Sequence, residues 1–183
     1  MERTVGSEDI IRLFGLQGIV LFPYEAGTDP SRLPRSLRVL HEVGLPHDDL
    51  FLSRMDVKDP EADPVLLGEF LTRHGRRYAP EAEKWLVLGY FQDSLLALDP
   101  DSGQVFAFPE GTSDHLLIHR DVESLIRALC VLQQYCSDRD DSDDEEALAD
   151  SARAEIESFD PLPFTDPRSE WTIIFDEIAE GTW

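Results

Sequence analysis

The chain has 183 residues, a length that suits one domain with a core of its own. Its formal net charge of −22 at pH 7 argues against direct binding to nucleic acid or to an anionic membrane surface, because phosphate contacts require clustered Lys and Arg, and it favours a cationic protein partner. The longest apolar runs, such as residues 19–22, are far shorter than the ~20 residues of a membrane span, so we expect a soluble chain.

The N-terminal part is predicted to contain two short helices separated by a strand. Ser7 can cap the first helix, and residues 19–22 are typical of a strand. The second helix is predicted to start at Pro34 and to end just before Gly44, positions that these two residue types favour. Residues 1–9 carry acids where an export signal would carry a basic and then an apolar stretch, which predicts a cytoplasmic location.

Between the second helix and the centre of the chain the pattern is less regular. Residues 50–52 form a candidate short strand, and residues 56–64, with four acids and two prolines, are typical of a loop. Residues 65–71 fit either a helix or a strand. The spacing of their apolar side chains favours a helix.

The centre of the chain is predicted to form antiparallel strands. Residues 85–90 and 94–98 are rich in large apolar and aromatic side chains. The Asp-Pro-Asp-Ser-Gly sequence at 99–103 has the residue types of a tight turn, and residues 104–108 can form the returning strand. These segments therefore predict a hairpin.

The most regular helix follows a possible strand at residues 115–118. Asp121 can accept hydrogen bonds from the free amides of this helix. Its apolar residues recur every three or four positions, at Val122, Leu125, Ile126, Leu129 and Leu132. Cys130 and Cys136 lie six residues apart, which is neither a metal-binding nor a redox spacing, so we expect reduced, half-buried and inert thiols.

Acidic residues are concentrated towards the C-terminal end. Residues 1–136 carry 22 acids and 13 bases, whereas residues 137–183 carry 16 acids and 3 bases. Seven acids and one base fall within residues 138–146, and their mutual repulsion predicts a solvated, extended segment. The predicted division is therefore an α+β core at 1–136, an acidic linker at 137–147 and a helical pair at 148–183 that docks on the core.

The C-terminal pair has one apolar face on each helix. The faces consist of Leu148, Ala152, Ile156 and Phe159 on the first helix, and of Trp171, Ile174, Phe175 and Ile178 on a last helix capped by Thr165 or Asp166. An isolated pair would leave these aromatic rings in water. Burying a large apolar side chain contributes about 1.5–3 kcal/mol, which predicts docking on the main domain.

No motif in the sequence supports a reaction or a metal site. His119-Arg120-Asp121 matches the start of a kinase catalytic loop, but the Asn and the Gly-rich loop of kinases are missing, and helix capping accounts for Asp121. His115 and His119 lack the Glu of the metalloprotease motif. The acidic run lacks the Gly and the final Glu of a calcium loop. We therefore predict a protein that is not an enzyme and has no cofactor or metal.

Several short motifs in a fixed order resemble a known family. They are Pro34, Leu37 and Gly44-Leu45-Pro46, then Leu88-Gly89, residues 96–105 and residues 122–129, followed by Asp160, Trp171, Ile178 and Gly181. Together they resemble the SUKH superfamily of bacterial immunity proteins, in particular the subgroup numbered four, over residues 30–183. The resemblance implies an α+β fold: a single domain of mostly antiparallel sheet packed with helices, with a C-terminal helical extension.

The resemblance also implies a function. Members of the family are expected to bind and neutralise a cognate polymorphic toxin, often a nuclease or a nucleic-acid deaminase, by occlusion and without catalysis. The acidic composition agrees with a basic toxin domain as partner, because complementary charge raises encounter rate and specificity. A non-catalytic adaptor or regulatory binding module on the same fold stays open as the alternative, since a fold does not determine a function.

Two sets of residues are candidates for contact with the partner. One is the acidic set Asp138, Asp140, Asp141, Asp143 and Asp144. The other is the aromatic pair Tyr90 and Phe91, which can act as anchors if the connection between the strands is exposed. Each set has a structural alternative, because the acids also suit a solvated linker and the aromatic residues also suit the core.

Overall fold

A computed structural model describes residues 5–23, 27, 29–53, 65–112, 114–139 and 144–183. In these ranges seven strands form two antiparallel sheets. They are β1 (Ile19–Val20), β2 (Leu45–Pro46), β3 (Phe51–Ser53), β4 (Leu86–Phe91), β5 (Ser94–Leu98), β6 (Val105–Pro109) and β7 (Leu116–His119). Strands β1 and β2 pair with each other, and β3 to β7 form a five-stranded sheet in which neighbours in the sheet are neighbours in the chain.

Six α-helices of the described chain pack around these strands. They are α1 (Ser7–Phe14), α2 (Arg35–Glu42), α3 (Leu67–Arg73), α4 (Val122–Asp138), α5 (Glu145–Phe159) and α6 (Glu170–Ala179). Short 3-10 turns occur at Pro30–Arg32, Pro80–Lys84 and Leu162–Phe164. The antiparallel sheet with a helical C-terminal region confirms the predicted α+β class.

The two faces of the five-stranded sheet are covered by different helices. One face packs against α1, α2, α4, α5 and α6 in a continuous core, and the other is covered by α3 and the turn at Pro80–Lys84. Strand β5 contributes Leu96 and Leu98 to the first face and Leu95 and Ala97 to the second. Because both faces of β5 are buried, its sequence is a continuous apolar run instead of an alternating one.

The predicted hairpin between β5 and β6 is confirmed. The Asp99 carboxylate accepts hydrogen bonds from the backbone N–H of Asp101 at 3.0 Å and from the hydroxyl of Ser102 at 2.6 Å. Gly103 then adopts a φ of 79°, in the left-handed region that favours glycine. The turn chemistry of this segment therefore shapes the sheet.

Gly89 allows β3 and β4 to approach each other closely. The pairing of β4 with β5 shifts between Val87 and Gly89, and the φ of Gly89 is 149°. A Cβ atom at this position would collide with the carbonyl oxygen of Leu52 on β3. The β-bulge therefore requires glycine here.

The predicted start of α4 is also confirmed. The Asp121 carboxylate accepts a hydrogen bond from the backbone N–H of Ser124 at 2.8 Å. The predicted apolar stripe is buried at Val122, Leu125, Ile126, Leu129 and Leu132. The helix continues to Asp138, so it is longer than the stripe that predicted it.

The helices at the C-terminal end are fixed to the sheet by buried aromatic side chains. Trp171 of α6 is fully buried, and the centre of its ring lies 4.6 Å from that of Phe91 on β4. The rest of the predicted α6 stripe, Ile174, Phe175 and Ile178, is buried as well. On α5, the buried residues are Ala149, Ala152, Ile156 and Phe159.

The start of α6 differs from the prediction. The sequence predicts Thr165 or Asp166 as its cap, but α6 begins at Glu170, after Ser169. Asp166 instead accepts hydrogen bonds from the backbone N–H and from the guanidinium of Arg168, which shapes a turn ahead of the helix. The prediction of the cap is therefore wrong.

The N-terminal strands also differ in detail from the sequence pattern. Strand β1 ends at Val20 and not at residue 22, because the N–H of Phe22 donates to the carbonyl of Leu40 on α2. Strand β2, at Leu45–Pro46, is an element that the sequence did not predict. The predicted loop at 56–64 lies outside the described residues.

A buried pair of polar side chains connects β7 to the C-terminal segment. The side chains of His119 and Asp160 are 0% and 1% exposed, and Nδ1 of His119 lies 3.0 Å from Oδ2 of Asp160. The carboxylate also accepts hydrogen bonds from the N–H of Arg120 at 3.1 Å and of Leu162 at 3.2 Å. Within the described residues, Nε2 of His119 has no hydrogen-bond partner. We infer that a neutral imidazole donates its Nδ1 proton to an ionised carboxylate.

The pKa values of the pair agree with this assignment. Burial lowers the pKa of His119 below its ordinary value of 6.5, and the hydrogen bond to Asp160 only partly opposes this effect. Burial raises the pKa of Asp160, but the hydrogen bonds from His119 and from the Arg120 backbone outweigh burial and lower the pKa overall.

We expect the substitution Asp160→Asn to lower the free energy of unfolding by about 1–3 kcal/mol, because the new NH2 group cannot accept the N–H donors that the carboxylate satisfies. Urea unfolding followed by tryptophan fluorescence measures the loss. The exposed Asp138→Asn is the matched control and should change stability by less than about 0.5 kcal/mol. Equal losses in the two variants would contradict a special role of Asp160.

The pair also predicts a pH dependence. The folded chain keeps His119 neutral below its ordinary pKa, whereas the unfolded chain protonates it, so the unfolded state binds more protons. The His119 contribution to stability should therefore decrease as the pH falls below about 6.5, by up to about 1.4 kcal/mol per pH unit. Urea unfolding between pH 7.5 and 5.5 should give a smaller slope for His119→Asn than for the wild type. Parallel slopes would refute a neutral buried imidazole.

Candidate functional site

The exposed sides of α5 and α6 carry most of their charged residues. The exposed acids are Glu146, Asp150 and Glu157 on α5, and Asp176 and Glu177 on α6, with Glu180 directly after it, whereas the exposed Glu145 and Glu155 contact Tyr135 and Arg127 of α4. Arg153 is the one basic residue within the two helices. We call this set the acidic face. Because the apolar stripes of both helices are buried, their acids are left on the outside.

Arg153 connects the two helices of the acidic face. Its Nε lies 3.2 Å from Glu157 of the same helix, and its Nη1 lies 3.5 Å from Asp176 of α6. Its guanidinium also lies over the ring of Phe164, 4.7 Å from the ring centre. Partly exposed ion pairs contribute little to stability, but this contact fixes the spacing of the carboxylates around it.

Glu170, at the start of α6, connects the acidic face to the β4–β5 hairpin. The hydroxyl of the buried Ser94 donates to Oε1 of Glu170 at 2.8 Å. Burial raises the pKa of Glu170; the hydrogen bond from Ser94 acts in the opposite direction, while the charges of Asp93 and Glu177 raise the pKa further. The side chains of Asp93, Glu170 and Glu177 therefore form one electrostatically connected group.

One apolar side chain stands on the acidic face. Ile173 of α6 is 38% exposed, in contrast to its buried neighbours Ile174 and Phe175. In helical spacing it is followed by the exposed Asp176 and Glu177. An apolar side chain surrounded by charged groups is the arrangement found at the centre of many protein interfaces.

The predicted acidic site residues lie next to the start of α5. Asp138 ends α4, is exposed, and accepts hydrogen bonds from the side-chain amide of Gln134 at 2.8 and 2.9 Å. Asp144 caps α5 through a hydrogen bond from the N–H of Ala147 at 3.0 Å. The other three, Asp140, Asp141 and Asp143, lie outside the described residues.

The predicted aromatic pair is separated by the pleat of β4. Tyr90 is half-buried on the face covered by α3, and Phe91 points to the opposite face. Phe91 is fully buried against Trp171, so it offers no surface to a partner, and its prediction as an exposed anchor is wrong. Phe91 is part of the apolar core, which is the alternative role that its sequence also allowed.

Sequence reasoning missed the acidic face because it followed the density of acids along the chain. The acids of α5 and α6 are more widely spaced, at helical intervals such as seven residues between Asp150 and Glu157 and four between Asp176 and Glu180. The same helical period that located the apolar stripe of α6 contains this signal on the opposite side of the helix. The polar side of the helical period therefore indicates the acidic face, as the apolar side indicates the core.

The described residues show no arrangement suited to catalysis. Burial raises the pKa of Cys130 to about 12 and that of Cys136 to about 11, so both thiols are protonated at neutral pH. The His119–Asp160 pair is enclosed in the core. In the part of the chain that is described, no three His, Cys, Asp or Glu side chains form a group that suits a metal ion.

The raised thiol pKa values give a direct test. We expect iodoacetamide at pH 8 to alkylate Cys130 and Cys136 at least about 100-fold more slowly in the folded chain than in the chain unfolded by urea, because little thiolate is present. Mass spectrometry of time points measures both rates. A rapidly modified cysteine in the folded chain would show a reactive thiol.

Comparisons with known proteins give one family and no individual relative. A family model described as SUKH-4 immunity protein matches residues 5–177. No curated protein and no solved structure gives a match. No helix in the described part of the chain is both long and apolar enough to cross a membrane.

Proposed function

The chain belongs to the SUKH-4 immunity protein family, and we propose that it binds a cognate toxin domain and neutralises it by covering its active cleft. On this proposal the chain makes and breaks no covalent bond. We further propose that it acts in the cytoplasm of a bacterium, where the nucleic-acid substrates of such a toxin are found.

The acidic face is the single observation that supports this proposal most strongly. Its carboxylates lie on two helices whose other sides are buried in the core, so their positions are set before the partner arrives. A surface ordered in advance loses little side-chain and backbone entropy on binding. Such a face suits a basic cleft.

The class of toxin follows from charge. Enzymes that act on nucleic acid bind phosphates with clustered Lys and Arg, so their clefts are basic. An acidic protein bound in such a cleft occupies the position of the nucleic-acid backbone. We therefore propose a nuclease or a nucleic-acid deaminase domain as the partner of this chain.

The acidic run before α5 supplies further candidate contact residues. Asp138 and Asp144 flank the connection between α4 and α5, and Asp140, Asp141 and Asp143 lie within it. We propose that these five acids contact the toxin together with the acidic face. Charges at the rim of an interface mainly raise the association rate, so their contribution should be sensitive to salt.

Ile173 supplies the apolar part of the proposed interface. Exposed ion pairs contribute about 0.2–1 kcal/mol each, which is too little to account for a stable inhibitor complex. Affinity of that kind requires at least one desolvated anchor at the centre of the contact. Among the described residues of the acidic face, Ile173 is the exposed large apolar side chain.

We expect the triple variant Asp176→Asn/Glu177→Gln/Glu180→Gln to bind the toxin about tenfold more weakly at low salt, because it removes three carboxylates from the C-terminal end of the acidic face. It should also make the affinity less dependent on salt concentration. Calorimetric titration of the toxin domain encoded by the neighbouring gene, at 50 and 300 mM NaCl, measures both effects.

The matched control removes three exposed acids at scattered positions on other elements, Glu8→Gln/Glu81→Gln/Asp101→Asn, and so changes the net charge by the same amount. Its affinity should stay within about threefold of the wild type. Equal weakening in the two triple variants would show that total charge, and not the acidic face, attracts the toxin. Absence of any complex with the wild-type chain would refute the proposed function.

A further inference from the structure

Three arginines and a histidine lie close together at the end of α3, in a chain that is otherwise acidic. Arg73, His74, Arg76 and Arg77 fall within five residues, and Arg73, His74 and Arg77 are exposed while Arg76 is half-buried. We call this stretch the Arg73–Arg77 segment. It holds three of the 16 basic residues of the whole chain, which has 38 acids.

In the described part of the chain, the guanidinium groups of this segment lack the acidic partner that most other arginines have. Elsewhere in the described chain, arginines with a carboxylate within 4.0 Å are Arg12, Arg32, Arg35, Arg120, Arg127, Arg153 and Arg168. Among the described residues, no carboxylate lies within that distance of Arg73, Arg76 or Arg77. In a chain with more than twice as many acids as bases, three neighbouring cations without a described acidic partner indicate a surface that is open to an external anion.

Two side chains of the segment are held in place by the surrounding structure. Nη2 of Arg76 donates to the carbonyl oxygens of Pro109 at 3.1 Å and Thr112 at 3.3 Å, both in the connection from β6 to β7. Nδ1 of His74 lies 2.8 Å from the carbonyl oxygen of Phe70, and the two rings are 4.2 Å apart. A guanidinium fixed in this way presents its remaining donors at low entropic cost.

The Arg73–Arg77 segment borders a half-open groove of about 800 Å³. His74, Arg76 and Arg77 line one part of it, and the other lining residues include Tyr90, Gln92 and Thr112. Tyrosine and arginine are the side chains most often found at the energetic centres of protein interfaces. The predicted aromatic residue Tyr90 thus lies beside the cations and not on the acidic face.

The chemistry of the groove favours a protein segment over a phosphate compound. Asp93 and Glu110 also line the groove and would repel a dense phosphate group. The groove is lined by cations, acids, an amide and an aromatic ring. A peptide that carries isolated carboxylates between polar residues can pair with this mixture of groups. The overall charge of −22 adds to the repulsion of any polyanion.

The groove and the acidic face meet at the β4–β5 hairpin. Asp93 lines the groove, and its charge acts on Glu170 at the start of α6. The neighbouring residue, Ser94, donates to Glu170 at 2.8 Å. One partner that covers the hairpin can therefore touch both surfaces.

We propose that the Arg73–Arg77 segment and Tyr90 form a second contact for the same toxin and bind an acidic segment on the toxin's own surface. This inference rests on the proposed function. The acidic face attracts the basic cleft, and the cations beside the hairpin accept the toxin in one orientation only, because every other orientation brings like charges together.

The test uses the full chain and the toxin domain encoded by the neighbouring gene. The variant Arg73→Glu/Arg77→Glu reverses the two exposed cations and leaves the hydrogen bonds of Arg76 intact. The control Arg32→Glu/Arg38→Glu reverses two exposed arginines near and on α2 and changes the net charge by the same amount. Far-UV circular dichroism melts verify that both variants fold.

Only the Arg73→Glu/Arg77→Glu variant should lose affinity. A basic toxin attracts added negative charge, so the control should bind equally well or up to a few-fold more tightly. The Arg73→Glu/Arg77→Glu variant should bind at least about tenfold more weakly at 50 mM NaCl, and the loss should shrink at 300 mM NaCl. A loss of affinity confined to the Arg73→Glu/Arg77→Glu variant supports the proposal, because total charge alone would change the affinity of both variants in the same direction.

Two results would overturn the proposal while leaving the proposed function intact. One is a wild-type complex whose affinity changes equally in the two variants. The other is binding of inorganic pyrophosphate to the free chain below about 1 mM that the Arg73→Glu/Arg77→Glu variant loses, since this would identify a phosphate site. If the wild-type chain forms no complex with the toxin, the proposed function fails first and this inference fails with it.

Discussion

The orientation of the helices at the C-terminal end depends on one buried carboxylate. Asp160 follows α5 directly and satisfies the ring N–H of His119 and two backbone N–H groups. Trp171 then packs between Phe91 and His119, with its ring edge to face with the imidazole at 5.5 Å. A rotation of the segment would leave several buried donors unpaired, each at a cost of about 1–3 kcal/mol. The buried pair and the indole together therefore permit a single arrangement of α5 and α6 on the sheet.

The acidic face is a consequence of this arrangement. The apolar stripes of α5 and α6 are used in the core, and the carboxylates are held at helical spacing on the outer side. Arg153 of α5 pairs with Glu157 on its own helix and with Asp176 on α6, so one guanidinium joins carboxylates of both helices. Charges on a rigid support differ from charges on a loop, because a partner does not have to order them. The stability of the core and the proposed recognition of a toxin thus depend on the same packing.

Charges of both signs around one hairpin can orient a bound partner. Net negative charge attracts a basic protein from a distance, but it does not determine the orientation in which that protein binds. The arginines of the Arg73–Arg77 segment beside the groove and the carboxylates of the acidic face beyond Glu170 can together distinguish orientations. On this view the hairpin is the point about which the proposed complex is aligned, and its rigidity follows from the burial of Phe91 and Ser94 on either side of its turn.

Local pattern in the sequence determined the α+β class, the hairpin at Asp99–Gly103, the cap of α4 at Asp121 and the buried stripe of α6, because turn chemistry and helical period depend on residues within a few positions of each other. The tertiary structure alone decided which surface each stripe packs on. Phe91 is as apolar as an exposed anchor would be, and only its contact with Trp171, 80 positions along the chain, puts it in the core. The contacts from Asp160 to His119 and from Glu170 to Ser94 also join distant parts of the sequence. Apolar character favours burial of a side chain, but the partner that the side chain packs against, and so which charges are left outside, follows from tertiary packing.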